Sequence, residues 1–506
     1  MIQSLGALPL LQEPTPPTPP PPPTVQDIEI SFNAQDTVAM PSSSTTIKNV
    51  ENGMRVEKVE LRDHNLEPVD GKLVFPDHDP RNTHAVSFAA AANTVAAFEE
   101  ATGLAVPWAF GGDRLGVYAD DGVMLNAYYS RGEGSIHFFH DTDVVTGALV
   151  RSGASGEVVA HEVGHAILDG LRPGYLETWS TDPGAFHESF GDQIGMLMAL
   201  MDERTINRVA VQTGGNLRKQ NVVAHLGEEL GRGINDKVGR NRTGGDWVRN
   251  AINAFVWADP ATLPDRGDDT HLGSEVHDFS RLWSGAFYDV LCGINQSFLD
   301  SGMSVKDALR ATGREGTKIL GNLLREAPQG DHTYKDMAEA FVAADRTHNN
   351  GQWAGLIEKV YTDRLILQPP PPPPEDPTEP TPPPTGFEAG SSRRGIATST
   401  PEGRKSLDDV TRTVRVKLSG QEYGMFNGAV VETVVDKDGS LAKDAEAASR
   451  TRKALANHIK AGRVRYNDPS YQMKKDDYFD KNGNPYIGAV RWENGQMVIE
   501  RVKITA

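Results

Sequence analysis

A single cysteine, Cys292, leaves no partner for an intramolecular disulfide anywhere in the 506 residues. Its place in the apolar run Phe287-Tyr288-Asp289-Val290-Leu291-Cys292 suits core packing. No apolar run approaches the roughly 18 residues that a membrane-spanning helix needs. The opening MIQSLGALPLLQEPTPP has a short apolar patch with no Lys or Arg ahead of it, unlike a secretory signal. The expectation is a cytoplasmic protein, or one exported by a Sec-independent route. Positive charge is scarce: 51 Lys+Arg against 69 Asp+Glu give a net charge of -18, which argues against general nucleic-acid binding. No internal repeat stands out. What remains, at 38% hydrophobic and 24% charged residues, is an ordinary soluble composition with room for several domains.

Two proline-rich stretches punctuate the chain. Residues 14–23 (PTPPTPPPPP) lie in an extended tail over 1–26, and QPPPPPPEDPTEPTPPPTG opens a semi-rigid linker over 368–404. Both read as spacers, with docking of a proline-binding partner as the alternative. Residues 27–83 alternate as strands do, for example in Asp27-Ile28-Glu29-Ile30-Ser31-Phe32. The Ala-rich stretch 85–102 predicts a helix stopped by Gly103, and 104–150 returns to short strands and turns. A helix over 155–170 is halted by Gly170 and Pro173. Helical periodicity then runs from Pro183 to Leu367, broken by a polar, Gly-rich stretch at 212–248.

The expected architecture is therefore α+β: a strand-rich subdomain over 27–154, a helical one over 155–367, and a small α+β module over 405–506. In that module 411–418 and 429–435 read as strands, and Ser440 caps a helix reaching 461. Asn482-Gly483 and Asn494-Gly495 mark hairpin turns. Residues 387–506 carry 21 Lys+Arg and 16 Asp+Glu, a surplus of five positive charges, which leaves -23 on the rest. The module holds no chemical motif; binding of a protein partner is the expectation for it.

Chemistry concentrates in His161-Glu162-Val163-Gly164-His165. On a helix His161 and His165 lie one turn apart on one face, so both imidazoles reach one ion, with Glu162 beside them. A zinc centre that activates water needs three protein ligands and an open position. The third comes from Phe186-His187-Glu188-Ser189-Phe190-Gly191-Asp192. His187 and Glu188 compete for that place, but adjacent helical residues point about 100 degrees apart, so only one faces the metal. The spacing Glu188-xxx-Asp192 favours Glu188 and leaves His187 in a supporting contact. Asp192 is placed to accept the outward N–H of a ligating histidine and hold its tautomer. A surface helix carrying the five residues by chance is the bland alternative, and the downstream carboxylates argue against it. The expectation is that His161, His165 and Glu188 hold Zn2+, with Glu162 as general base.

GEVVAHEVGHAILD followed by GAFHESFGD resembles the thermolysin-like zinc metallopeptidases, the gluzincins. The similarity spans roughly residues 80–366. Leu125-Asn126-Ala127-Tyr128-Tyr129 looks like the family's edge strand, and Val276-His277-Asp278-Phe279-Ser280 like its Val-His-x-x-Ser. The resemblance implies a strand-rich and a helical subdomain with zinc in the cleft between them, and hydrolysis of peptide bonds in protein substrates. By the same resemblance Asn126 and Ala127 bind the substrate backbone, and Val158 lines the pocket for the residue after the scissile bond. His277 stabilises the oxyanion, oriented by Asp268, Asp269 or Glu275; His271 is the competing histidine.

Departures from the family's pattern are visible too. The loop before Glu188 is longer, and the tyrosine that assists the histidine falls to Tyr175, although a gap-free count back from Glu188 lands on Trp179. The family's pocket arginine has no recognisable counterpart in 202–270. Of its double-calcium site Glu157 keeps one acidic position, while Ala199 stands where a carboxylate would follow, so Ca2+ is a minor expectation beside Zn2+. Three other readings compete with a general endopeptidase. One is a protease delivered by secretion or injection against a single protein target. Another is a scaffold whose C-terminal module does the binding. The third is an aminopeptidase, for which no Gly-x-Met-Glu-Asn-type signature precedes the motif.

Overall fold

The computed structural model describes residues 25–238, 244–367, 407–468, 471, 475–480 and 485–505. Both proline-rich stretches and the Asn482-Gly483 turn lie outside them. The architecture is mixed α+β with several small sheets. Strands β1 (Val25–Phe32), β2 (Ser43–Glu51), β3 (Val59–Leu61) and β4 (Lys72–Leu73) come first. β1 takes β2 antiparallel on one side and β4 parallel on the other.

Helix α1 (Pro80–Thr102) starts five residues before the Ala-rich stretch. Asp79 caps it by accepting from the Arg81 N–H, and Pro80 fills the first helical position, where no N–H is needed. The polar residues Arg81 to His84 hide that turn from a reading of periodicity. Gly103, at φ 64, ends the helix as expected. Strands β5 (Leu115–Tyr118), β6 (Ala127–Ser130) and β7 (Ser135–Phe138) follow, then the short pair β8 (His140–Thr142) and β9 (Leu149–Arg151).

Helix α2 (Gly156–Leu171) carries the HExxH residues, and the Ser155 side chain accepts from Val158 N to cap it. Helix α3 (Thr181–Ala199) crosses it closely. A Cβ on Gly164 would lie 3.0 Å from Gly191 Cα, so the two backbones approach to a distance that side chains would prevent. Beyond α4 (Glu203–Thr213), the polar stretch at 212–248 is more than an interruption. It holds β10 (His225–Leu226) and α5 (Glu228–Val238), and β11 (Arg249–Asn250) follows to pair with β10. Helices α6 (Val276–Asp300), α7 (Val305–Glu326), α8 (Tyr334–His348) and α9 (Ala354–Asp363) complete this part. One apolar core runs through it from Ile28 to Ile366, so the strand-rich and helical regions share a single interior.

The C-terminal residues contain α10 (Leu407–Val410), β12 (Thr411–Lys417), β13 (Val430–Asp436), α11 (Leu441–Lys460), β14 (Val464–Arg465), β15 (Gly488–Glu493) and β16 (Gln496–Arg501). Ser440 caps α11, and Asn494 (φ 49) with Gly495 (φ 80) makes the two-residue turn between β15 and β16. The sheet order is β12-β13-β16-β15-β14. Its core, with Leu418, Val431, Leu455 and Ile499, closes around Trp179 of the preceding part. The last strand, β17 (Ile504–Thr505), leaves this sheet and pairs with β6, giving a second sheet of order β17-β6-β7-β5-β3.

His458 on α11 is buried against the backbone of Trp179. Burial first, then the guanidinium groups of Arg501 and Arg463, push its imidazole down to about 3 from an ordinary 6.5. The folded state therefore resists the proton. The contribution is fully present above about 6.5 and is lost as pH falls from there toward 3. The melting temperature of the chain is expected to drop through that window, and less steeply in His458→Gln. Parallel pH profiles of the two melting curves would refute the assignment.

Candidate metal centre

Helices α2 and α3 bring His161, His165 and Glu188 together, with one potential ligand atom from each lying within 4.8 Å of the others. His161 Nε2 is 3.5 Å from Glu188 Oε2, and His165 Nε2 is 3.6 Å from Glu188 Oε1. These three side chains can hold a metal ion. The donor chemistry fits one: His165 Nε2 and Glu188 Oε2 are buried with no hydrogen-bond partner, an arrangement that is costly unless something binds between them. Among the described residues no second His/Cys/Asp/Glu group of this kind is gathered. Glu157, the remnant of the calcium expectation, is buried and accepts the Gly227 N–H at 2.9 Å. Burial and the nearby Asp36 and Glu228 carboxylates push it well above the usual carboxylate range.

His187 is outside the group that could hold an ion, and its Nδ1 lies 2.8 Å from His165 Nδ1. Asp192 reaches His161 Nδ1 at 3.1 Å, as the spacing predicted. Asp192 in turn accepts from Arg249 Nε at 2.8 and 3.0 Å and from Ser284 Oγ at 2.7 Å. Sequence reasoning missed Arg249 and Ser284. Arg249 stands on β11, within 202–270, where spacing offers no guide; only its buried carboxylate partner singles it out. The guanidinium and His161 together hold Asp192 ionised despite full burial.

Glu162 lies beside this group, buried, with Oε2 unpartnered. Burial pushes its carboxyl up to about 8, against the opposing pull of His161. His277, near the start of α6, comes within 3.4 Å of Glu188 Oε2 through Nε2. Its Nδ1 is 2.7 Å from Glu275 Oε1, so Glu275, and not Asp268 or Asp269, is the acid beside it. Burial would lower the His277 imidazole, but Glu188 and Glu275 outweigh it and raise it to about 9. The competitor His271 is an exposed side chain paired with Asp268.

Tyr175 is not brought into this group. It is buried, its ring against Phe186 and His332, and its hydroxyl donates to the Pro328 carbonyl at 2.7 Å. The core takes this tyrosine because a buried hydroxyl needs an acceptor and finds one there. Trp179, the other candidate, donates through Nε1 to Glu432 O in the C-terminal sheet. Asn126 and Ala127 lie at the start of β6, where the Asn126 carbonyl accepts from Ser152 Oγ. Tyr129 and Arg131 tie this strand's other end to Asp169 of α2. Val158 is on α2 one turn before His161.

Gly191 faces the His161 ring. A Cβ there would lie 2.7 Å from His161 Cε1 and Nδ1, too close for either to stay in place. Gly191→Ala is expected to displace the ring and weaken metal binding by about tenfold or more, measured by competition with a chromogenic chelator. Unchanged affinity would mean that His161 is not a ligand. In comparisons with known proteins, no family model and no curated protein matches this sequence.

Proposed function

We propose that this chain is a zinc-dependent endopeptidase of thermolysin type, its two subdomains meeting at the His161/His165/Glu188 group. The observation that carries the reading is the convergence of unpartnered buried atoms: His165 Nε2, Glu188 Oε2, Glu162 Oε2 and His277 Nε2. A nitrogen, nitrogen and carboxylate donor set suits a hydrolytic zinc centre. Zn2+ bound there would supply Lewis acidity, polarising a carbonyl and acidifying water.

The chain's own groups do the rest. Glu162 Oε2 accepts a proton from the attacking water as its oxygen bonds to the peptide carbonyl carbon. The same proton passes to the leaving nitrogen as the C–N bond breaks. His277 donates from Nε2 to the oxyanion, while Glu275 keeps the opposite ring nitrogen oriented. A peptide lies extended along the β6 edge, held by the Ala127 carbonyl and the Asn126 side chain, with the residue after the scissile bond toward Val158. The test is cleavage of denatured casein by the purified protein, with sites mapped by mass spectrometry. Cleavage before apolar residues is expected, abolished by o-phenanthroline and restored by Zn2+. Zinc-loaded protein inert toward every peptide offered would end this reading.

A further inference from the structure

The C-terminal module has no chemistry of its own, yet it touches both sides of the metal centre. On one side its last strand takes the free edge of β6. The pairing is antiparallel, Ile504 opposite Ser130 and Thr505 opposite Tyr129, and Arg131 N donates to Lys503 O at 3.3 Å. The direction of β17 therefore runs toward Ala127. Phe479 of the module adds a ring over Tyr128 at 5.4 Å. On the other side Arg463 reaches Glu275, the carboxylate that orients His277, at 3.6 Å, and Asp265 at 3.0 Å.

Between these two contacts the module grips the loop that joins the HExxH helix to the Glu188 helix. Trp179 is buried in the module's core, and Arg501 Nε donates to Thr178 O at 3.0 Å. Trp and Arg anchors of this kind dominate association between separate surfaces. The pairs Lys503–Glu177 (2.6 Å) and Arg450–Asp331 (2.6 Å) match a basic module to an acidic body.

From these contacts we infer that the module is a built-in inhibitor: β17 occupies the sheet edge on which a peptide substrate adds as a strand, and activity requires its release. This rests on the proposed endopeptidase function and names the regulation of that same site. An open sheet edge is a ready template for an extended peptide, and only one strand can hold it at a time. β17 is two residues long, so its hold is displaceable. The proline-rich tether at 368–404 keeps the module at high local concentration, which favours rebinding over loss.

The experiment uses the full chain with two releasing substitutions. With Arg131 N bonded to Lys503 O, Thr505 and Tyr129 form the next hydrogen-bonded pair of the antiparallel ladder. Thr505→Pro removes the N–H from that pair. Lys503→Glu turns the ion pair with Glu177 into a repulsion. Binding of a fluorescein-labelled extended peptide rich in Ala and Phe is read by anisotropy in a Glu162→Gln background, where turnover does not consume it. Zinc content and melting curves confirm that each variant is folded. Peptide affinity is expected to rise about tenfold in both, as when a site open one-tenth of the time becomes fully open, and casein cleavage with Glu162 restored should rise similarly. Unchanged or weaker peptide affinity in both variants would overturn the inhibitor. Tighter binding with no cleavage by any variant would uphold the occlusion and remove the endopeptidase reading instead.

Discussion

Glu162→Gln protein is expected to keep its metal and to lose peptide cleavage by about 10²- to 10⁴-fold, the range general acid–base groups contribute. Glu162 is no member of the ligand group, so the substitution leaves His161, His165 and Glu188 in place. Gln keeps the size of the side chain and its buried position but has no carboxylate to accept a proton. Glu162 Oε2 has no partner among the protein's own groups, so no existing hydrogen bond is broken. Equal zinc content by atomic absorption, set beside initial rates on a fluorogenic peptide, separates loss of the base from loss of the site. Wild-type rates in Glu162→Gln would show that another group moves the proton.

The largest effect on stability and metal affinity is expected at Asp192, which makes no contact with substrate in the proposed reaction. Its carboxylate holds Arg249, Ser284 and His161 at once, and both Asp192 and Arg249 are buried. Asp192→Ala leaves a buried guanidinium without its counter-ion, which costs about 3–5 kcal/mol. It also frees the His161 ring to turn, which weakens metal binding about 10- to 100-fold. Asp192→Asn keeps an acceptor oxygen without the charge, so it should fall between the two on both measures. Urea unfolding of the metal-free proteins isolates the first effect, and chelator competition the second. A fully stable Asp192→Ala protein would mean that Arg249 finds another partner or reaches water.

Much of the centre was legible because its signals are local. The HExxH spacing, the Ser155 and Ser440 caps, the Gly103 stop and the Asn494-Gly495 turn each involve residues a few positions apart, where helix or hairpin geometry converts spacing directly into distance. The choice of Glu188 over His187 was also foreshadowed, since two neighbours on α3 cannot both point at one centre. Where local pattern was weak, boundaries slipped. The first turn of α1 was hidden by polar residues, and α5 by the glycines around it.

The rest was decided by contacts between distant residues. Asp192 and Arg249 are 57 positions apart, and nothing in a polar stretch marks one arginine as the partner of a buried carboxylate. Glu275 and its two aspartate rivals share one charge and one neighbourhood; only the turn into α6 puts Glu275 beside His277. Tyr175 had the chemistry for the oxyanion but went to the Pro328 carbonyl, because burial obliges a hydroxyl to take the nearest acceptor. The sequence alone determined the α+β class and the His161/His165/Glu188 group that could hold a metal ion, through periodicity and spacing. Packing alone decided that the C-terminal module closes around Trp179 and lays β17 on β6, because an open sheet edge accepts any strand and carries no mark of its partner.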